Sequence, residues 1–518
     1  MRLLFGGILG LAVGCGGDDD GSDDPTGSSP TEPVTFVAGP TIRDNPDAGL
    51  TAWLDLTLSD AAALEIDVTG PDRTYTIASP SAVDHTVLIT GLHPESTHDL
   101  VVRAVDAEGR TIGSAPVEVT TPRLPTDFFT WQVPTSAPDR MEPGITLVGF
   151  GNYLVMLDPQ GHPVWYMPVQ GSIHEATRLA NGDLILVVNR TTVTEVDLSG
   201  AIVRQWRAGL TTDQPASAIP LDVEATHHDV LELPDGNLVT LSIERRTIDD
   251  YPTSEVTAGA PTASAWVAGD VVVEFTPDGE VVHQWPLLDL LDPHRIAYDG
   301  VRGTYWEDFA PWVGDDIKDW SHGNAVSYDP PTDTLLVSLR HQDAVIGLAR
   351  QTGALKWIIA PPVNWPADLA DKVLVSTDPA PVYNYHQHGA KFTPSGTVMM
   401  FDNGNNRASA FEPVVEDPDN YSRGLELALD LDAGTYHTVW SWGQQLDPKY
   451  YAGSLGDCDP LPVTGNRVVT FGNLLNPTLP GVRIVELTPA DEIVFDLVVP
   501  FQVTTYRSQR LAGMIPGL

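Results

Sequence analysis

Four histidines occupy one repeated position in this 518-residue chain. HEATRLANGDLILVV, HHDVLELPDGNLVTL and HGAKFTPSGTVMMF share a histidine followed eight positions later by a glycine. The pairs are His174 with Gly182, His228 with Gly236 and His388 with Gly396. HGNAVSYDPPTDTLLVSLR is the same unit with a longer turn and begins at His322. Further polar groups flank each one. His227 and Asp229 adjoin His228, and Asn324 lies two residues past His322, on the same strand face. Arg340 ends the following strand, with His341 and Gln342 behind it. Tyr383, Tyr385, His386 and Gln387 precede His388, and Asn403 and Arg407 follow in the same repeat. Imidazoles, amides and a guanidinium with few carboxylates suit a tetrahedral oxyanion. One neutral imidazole could attack sulfur or phosphorus while the other donors hold the non-bridging oxygens. The alternative is a histidine-rich transition-metal site. Arg340, a poor neighbour for a cation, favours the anion reading and no metal.

These residues need a scaffold that brings repeats together. From Phe128 onward the chain repeats a second unit: an apolar strand, a Pro/Asp/Gly turn, and a strand closing on an aromatic. The closing residues are Trp165, Trp206, Trp285, Trp357, Trp440 and, in the last copy, Phe495. Six copies of this unit predict a six-bladed β-propeller over 128–518, with the aromatics wedged between blades. The innermost strands of such a ring line its axis. Equivalent positions at their starts, the four histidines among them, should meet at one end.

Ahead of the ring, 34–123 carries short alternating runs such as LTAWLDLTL and DLVVRAVDAEG. Period-two alternation between turns predicts a small β-sandwich. GLHPESTHDLVVRAVDAEG resembles the end of a fibronectin type III domain, with His98 where that family usually has tyrosine. The predicted fold class is therefore all-β, a fibronectin-III-like sandwich followed by a six-bladed propeller. Residues 1–15 resemble a lipoprotein signal ending in a lipobox, with Cys15 as the lipidated residue and membrane anchor. The stretch 16–33 is rich in Gly, Asp, Ser and Pro and cannot bury a core, so it reads as a tether. With Cys15 lipidated, Cys458 has no cysteine left to pair with and reads as a small buried hydrophobe. Against 70 Asp+Glu there are only 28 Lys+Arg, a formal charge of -42. That excludes nucleic acid as a partner, and any anion site must be built locally. No phosphate loop, GxSxG elbow, dinucleotide fingerprint or calcium loop is evident, so no cofactor is expected.

HHDVLELPDGNLVTL, DWSHGNAVSYDPPTDTLLVSLRHQDAVIGLARQTGALKWII and HQHGAKFTPSGTVMMFDNGNNR resemble the bacterial arylsulfate sulfotransferases, and the likeness extends over most of 140–500. The resemblance implies a six-bladed propeller preceded by a β-domain. It implies ping-pong transfer of a sulfuryl group from an aryl sulfate donor to a phenolic acceptor, without a nucleotide donor. By its QH segment His388 is the nucleophile. By its other segments His228, His322, Asn324 and Arg340 bind the sulfuryl oxygens, and His228 or His322 also carries the phenol proton. His227 and Gln387 stand beside these as substrate-binding candidates. A homodimer is what the resemblance suggests. Members often carry a disulfide near the active site, for which this chain lacks the cysteines, and SLRHQ replaces their usual SSRHQ. The competing functions are a metal-dependent hydrolase or lyase on the same ring, and a non-catalytic anion-binding propeller.

Overall fold

Period-two burial along the N-terminal strands builds one sheet. The computed structural model describes residues 32–211, 217–309 and 316–518. Cys15, the signal segment 1–15 and most of the tether 16–33 lie outside these residues. The strand Ala52–Thr69 buries every second side chain from Ala52 to Leu58 and again from Ala62 to Val68. It pairs along its length with Thr74–Ile89. On its other edge Phe36–Asp44 covers the first half and Thr97–Val105 the second. The register shifts between Thr57 and Ala62, where one neighbour hands over to the other. The result is one curled six-stranded sheet, where the sequence predicts two separate layers. Curling lets one sheet enclose its own core of residues such as Leu54, Ile66, Ile89 and Val102. His98 is buried within it, its Nε2 accepting the His93 amide at 3.1 Å.

Six further sheets of four or five strands follow, each an antiparallel meander with short added strands in four of them. Their inner strands are Ser508–Leu511, Ile173–Arg178, His227–Glu232, Gly323–Asp329, His388–Phe392 and Asp457–Pro460. The second to sixth sheets touch in succession through these inner strands, and the first touches the second and the sixth, giving a ring. Two exchanges close it. The C-terminal strand Ser508–Leu511 pairs with Ile145–Phe150 of the first sheet, and Gln132–Ser136 pairs with Ile493–Val499 of the last. Both leave fewer open edges for foreign strands.

The repeated aromatics seal the joints between sheets. Trp165 Nε1 donates to Leu198 O of the second sheet, and Trp206 Nε1 to Pro277 O of the third. Trp440 Nε1 donates to Asp491 of the sixth. Each acceptor lies in the corresponding turn of the next sheet. Gly353, at φ +68°, occupies that turn in the fourth sheet, where a Cβ would collide with Trp285. Among the described residues no helix is long and apolar enough to cross a membrane.

Candidate active site

The inner strands carry an irregularity where the histidines stand. In the second to fifth sheets the pairing of the first two strands slips within the first few residues. His228 and His322 there adopt φ of +62° and +47°, a left-handed backbone that bulky residues avoid. Such held conformations mark sites where the surrounding fold fixes an unusual side-chain direction. His174, His228, His322 and His388 all line one cavity of about 450 Å³ together with Arg340. The convergence that symmetry predicts is therefore realised. His228 stacks edge-on with His174 at 5.4 Å and with His322 at 4.9 Å between ring centres.

Hydrogen bonds fix which nitrogen of each ring is bare. Asn403 Nδ2 donates to the carbonyls of Ala452 and Leu455, both at 2.9 Å, so its Oδ1 must face His388 Nδ1 at 2.7 Å. His388 therefore carries its proton on Nδ1 and leaves Nε2 unprotonated. His322 Nδ1 donates to Asp319 Oδ2 at 2.5 Å, which likewise leaves its Nε2 free. His227 Nε2 donates to Ser242 O at 3.2 Å, and its Nδ1 meets His228 Nδ1 at 2.7 Å. A neutral His227 with its proton on Nε2 can only accept there, so His228 also keeps its proton on Nδ1. Three imidazoles are thus tied back through Nδ1.

Burial holds them neutral. It pushes the pKa values of His388 and His322 well below the ordinary 6.5, with Arg340 adding to the effect. Burial does the same to His228, reinforced by His322. His174 is lowered to about 4, by burial and then Arg190. His386 runs the other way: burial and Arg340 oppose its proton, but Asp343 and Asp299 raise its pKa overall. Its Nδ1 sits 2.9 Å from Asp343 and its Nε2 3.5 Å from Asp299.

Arg340 brings the positive charge. Nη1 donates to His341 Nε2 at 2.5 Å and Nη2 to Gly453 O at 3.2 Å, while Nε is buried without a partner. His341 Nδ1 donates to Asp319 O at 2.6 Å, consistent with an Nε2 that accepts. Two sets of three ligand atoms gather closely here, Asp319–His322–His341 and Asp299–His341–His386. The guanidinium touches His341 of both sets and lies 3.7 Å from Asp299. A fixed cation at that place opposes a metal ion.

The other candidates stand outside the lining of the cavity. His227 lies one layer back, 3.3 Å from Asp270. Gln387 is not placed as a substrate contact. Its Nε2 faces Ser338, Leu339 and Ala344, its Oε1 accepts from Asn384, and its carbonyl accepts from Asn324 at 2.7 Å. It braces the fifth sheet against the fourth. Asn324 spends Nδ2 on that contact, while its Oδ1 is buried without a partner. Cys458 is buried in an apolar cluster, its thiol pKa raised by burial.

Sequence reasoning missed Asp299, Tyr305 and Tyr506, which line the cavity. The first two come from the long excursion between the third and fourth sheets, and Tyr506 from the C-terminal segment. Tyr305 leans on His228 at 4.8 Å and on His322 at 4.7 Å between ring centres. Asp319, three residues before His322, was the one legible signal.

A family profile described as Arylsulfotransferase (ASST) matches residues 130–507. The chain belongs to the arylsulfotransferase family. This family member is 30% identical over 222 residues to arylsulfate sulfotransferase AssT of Escherichia coli O6:H1, a match covering 35% of this chain and 36% of that protein. It is 28% identical over 221 residues to AssT of Lelliottia amnigena, with the same coverage. The chain thus spans about a third of the length of these curated relatives. Among solved structures, a Bacteroides caccae protein of unknown function is similar at TM-score 0.40 and 12% identity, over 71% of this chain and 98% of that one. The β-propeller domain of Myceliophteria thermophila Cps50 (Swd1) is similar at TM-score 0.32 and 12% identity, over 70% and 88%.

Proposed function

We propose that this chain is a six-bladed propeller enzyme that transfers a sulfuryl group from an aryl sulfate to a phenol through a sulfohistidine at His388. The observation that carries this reading is the bare Nε2 of a neutral, buried imidazole in a cavity shared with a guanidinium. His388 Nε2 attacks sulfur, the N–S bond forms and the bond from sulfur to the aryl oxygen breaks. Arg340 faces the sulfuryl oxygens and offsets charge as the loose transition state spreads it. The departing aryl oxygen takes a proton from the imidazolium of His228 or His322, a form that the bound anion favours. An acceptor phenol then returns a proton to that imidazole, its oxygen attacks sulfur, and His388 is released. Donor and acceptor exchange one sulfuryl group, and no cofactor enters. Asn324, which the resemblance offers as a further oxyanion donor, is left out of this reading, because its Nδ2 is committed to Gln387 O and it stands outside the lining of the cavity. We also propose export and lipidation at Cys15, with 34–123 as a separate module.

A chromogenic aryl sulfate tests the proposal, assayed with and without added phenol. Release of coloured phenol that requires the acceptor supports transfer. Release without acceptor makes the protein a sulfatase, and no release in either case makes the ring a binding module.

A further inference from the structure

A further cluster of ligating side chains lies outside the lining of the histidine cavity, where the N-terminal sheet meets the first ring sheet. Asp72 comes from the turn between Ala52–Thr69 and Thr74–Ile89, and His93 from the loop after the second of these strands. Asp158 and His162 come from the turn between Tyr153–Leu157 and Pro163–Pro168. One ligand atom from each of the four lies within 4.8 Å of all the others. We propose that Asp72, His93, Asp158 and His162 form a zinc-type metal site that clamps the N-terminal sheet to the ring.

His93 supplies the observation that separates this from a chance grouping. Its side chain is only 9% exposed, yet its Nε2 has no hydrogen-bond partner. That nitrogen points at Asp158 Oδ2, 3.4 Å away. An imidazole nitrogen sealed from water that faces a carboxylate without forming a hydrogen bond to it is costly unless something else satisfies it. Asp158 is prepared in a matching way. Its Oδ1 accepts the amides of Gln160 and His162 at 2.9 and 2.8 Å, which leaves Oδ2 turned towards the two imidazoles. His162 Nδ1 stands 3.3 Å from that oxygen and 4.0 Å from Asp72 Oδ2. Metal–ligand bonds of about 2.0–2.1 Å give a tetrahedron with edges of about 3.3 Å, close to these separations. Two imidazoles and two carboxylates suit zinc and its first-row neighbours, whereas calcium and magnesium prefer oxygen alone. The exposed Asp72 and His162 give an ion a way in from solvent. Direct bonds from the N-terminal part to the ring include the paired backbones of Gly49 and Tyr166 in the first ring sheet and the contact of Asn45 with Ser199 O in the second. A metal ion would add four bonds spanning the junction.

The test uses the full chain, stripped with chelator and then titrated with zinc. Asp72→Ala and His162→Ala are combined because these side chains are 43% and 55% exposed, so the fold should survive their loss. The wild type should take up one more equivalent of zinc than this double variant, and zinc should raise its unfolding temperature but not the variant's. Cobalt substitution should give the visible absorption of a tetrahedral site in the wild type alone. Equal zinc uptake by both proteins, or no uptake by the wild type, overturns the proposal.

Discussion

At the scale of single residues, the account turns on where protons sit. The proposed role of His388 as nucleophile rests on Asn403 Oδ1, which can only accept, the amide nitrogen being committed to two carbonyls. His388→Ala should abolish transfer by several powers of ten while thermal unfolding stays cooperative, measured by phenol release and calorimetry. Asn403→Leu removes the acceptor that fixes the ring. It should lower kcat by roughly 10²-fold or more with little change in KM. Because that hydrogen bond raises the His388 pKa, its loss should also move the acid limb of the rate–pH profile to lower pH. An unmoved limb would make Asn403 a packing residue only. Arg340→Ala should cost about 10²- to 10³-fold, as loss of one oxyanion donor does. The four histidines could be found from sequence because a repeat marks them, and Arg340 because it ends the strand that follows His322 and falls in a segment of the family resemblance. Asp299, Tyr305 and Tyr506 sit outside any repeat, so no periodicity points to them. Gln387 misled for a related reason. Adjacency to a nucleophile does not tell which way an amide points.

At the scale of elements, a break in strand pairing and not simple alternation separates His228 from His227. The pairing runs from His227 opposite Leu241 straight to Val230 opposite Thr240, so two extra residues, His228 and Asp229, bulge out there. Both rings then share a hydrogen bond while only His228 reaches the cavity. The aromatic wedges are read from sequence more securely, because Trp165, Trp206, Trp285 and Trp440 each meet the same turn of the neighbouring sheet. Trp206 is fully buried and bonded across the joint. Trp206→Ala should therefore cost about 3–5 kcal/mol in denaturant unfolding, with the chemistry at His388 spared in whatever fraction stays folded. The curled N-terminal sheet was not foreseen as a single sheet. Strand patterning tells which side chains are buried, not whether one long strand bends to serve both layers.

At the scale of the whole molecule, a ring of neutral buried imidazoles makes stability depend on pH. His174 and His227 fold with pKa values of about 4 and about 3, against 6.5 when free. As pH falls below about 6.5 the unfolded chain takes up these protons first, so stability is full above that value and lost on the way down. Unfolding free energy should drop between pH 6.5 and 4, and His174→Leu should recover on the order of 1–3 kcal/mol of that loss at pH 4. A variant with the wild-type slope would show that His174 does not hold its burial-depressed pKa. The central claim concerns the covalent step, and one measurement addresses it directly. The protein is mixed with an aryl sulfate and no acceptor, quenched, digested and weighed by mass spectrometry. A sulfuryl group on the peptide containing His388, removed when phenol is added before the quench, is the expected result. An adduct elsewhere, or donor turnover that leaves this peptide unmodified, would contradict the account.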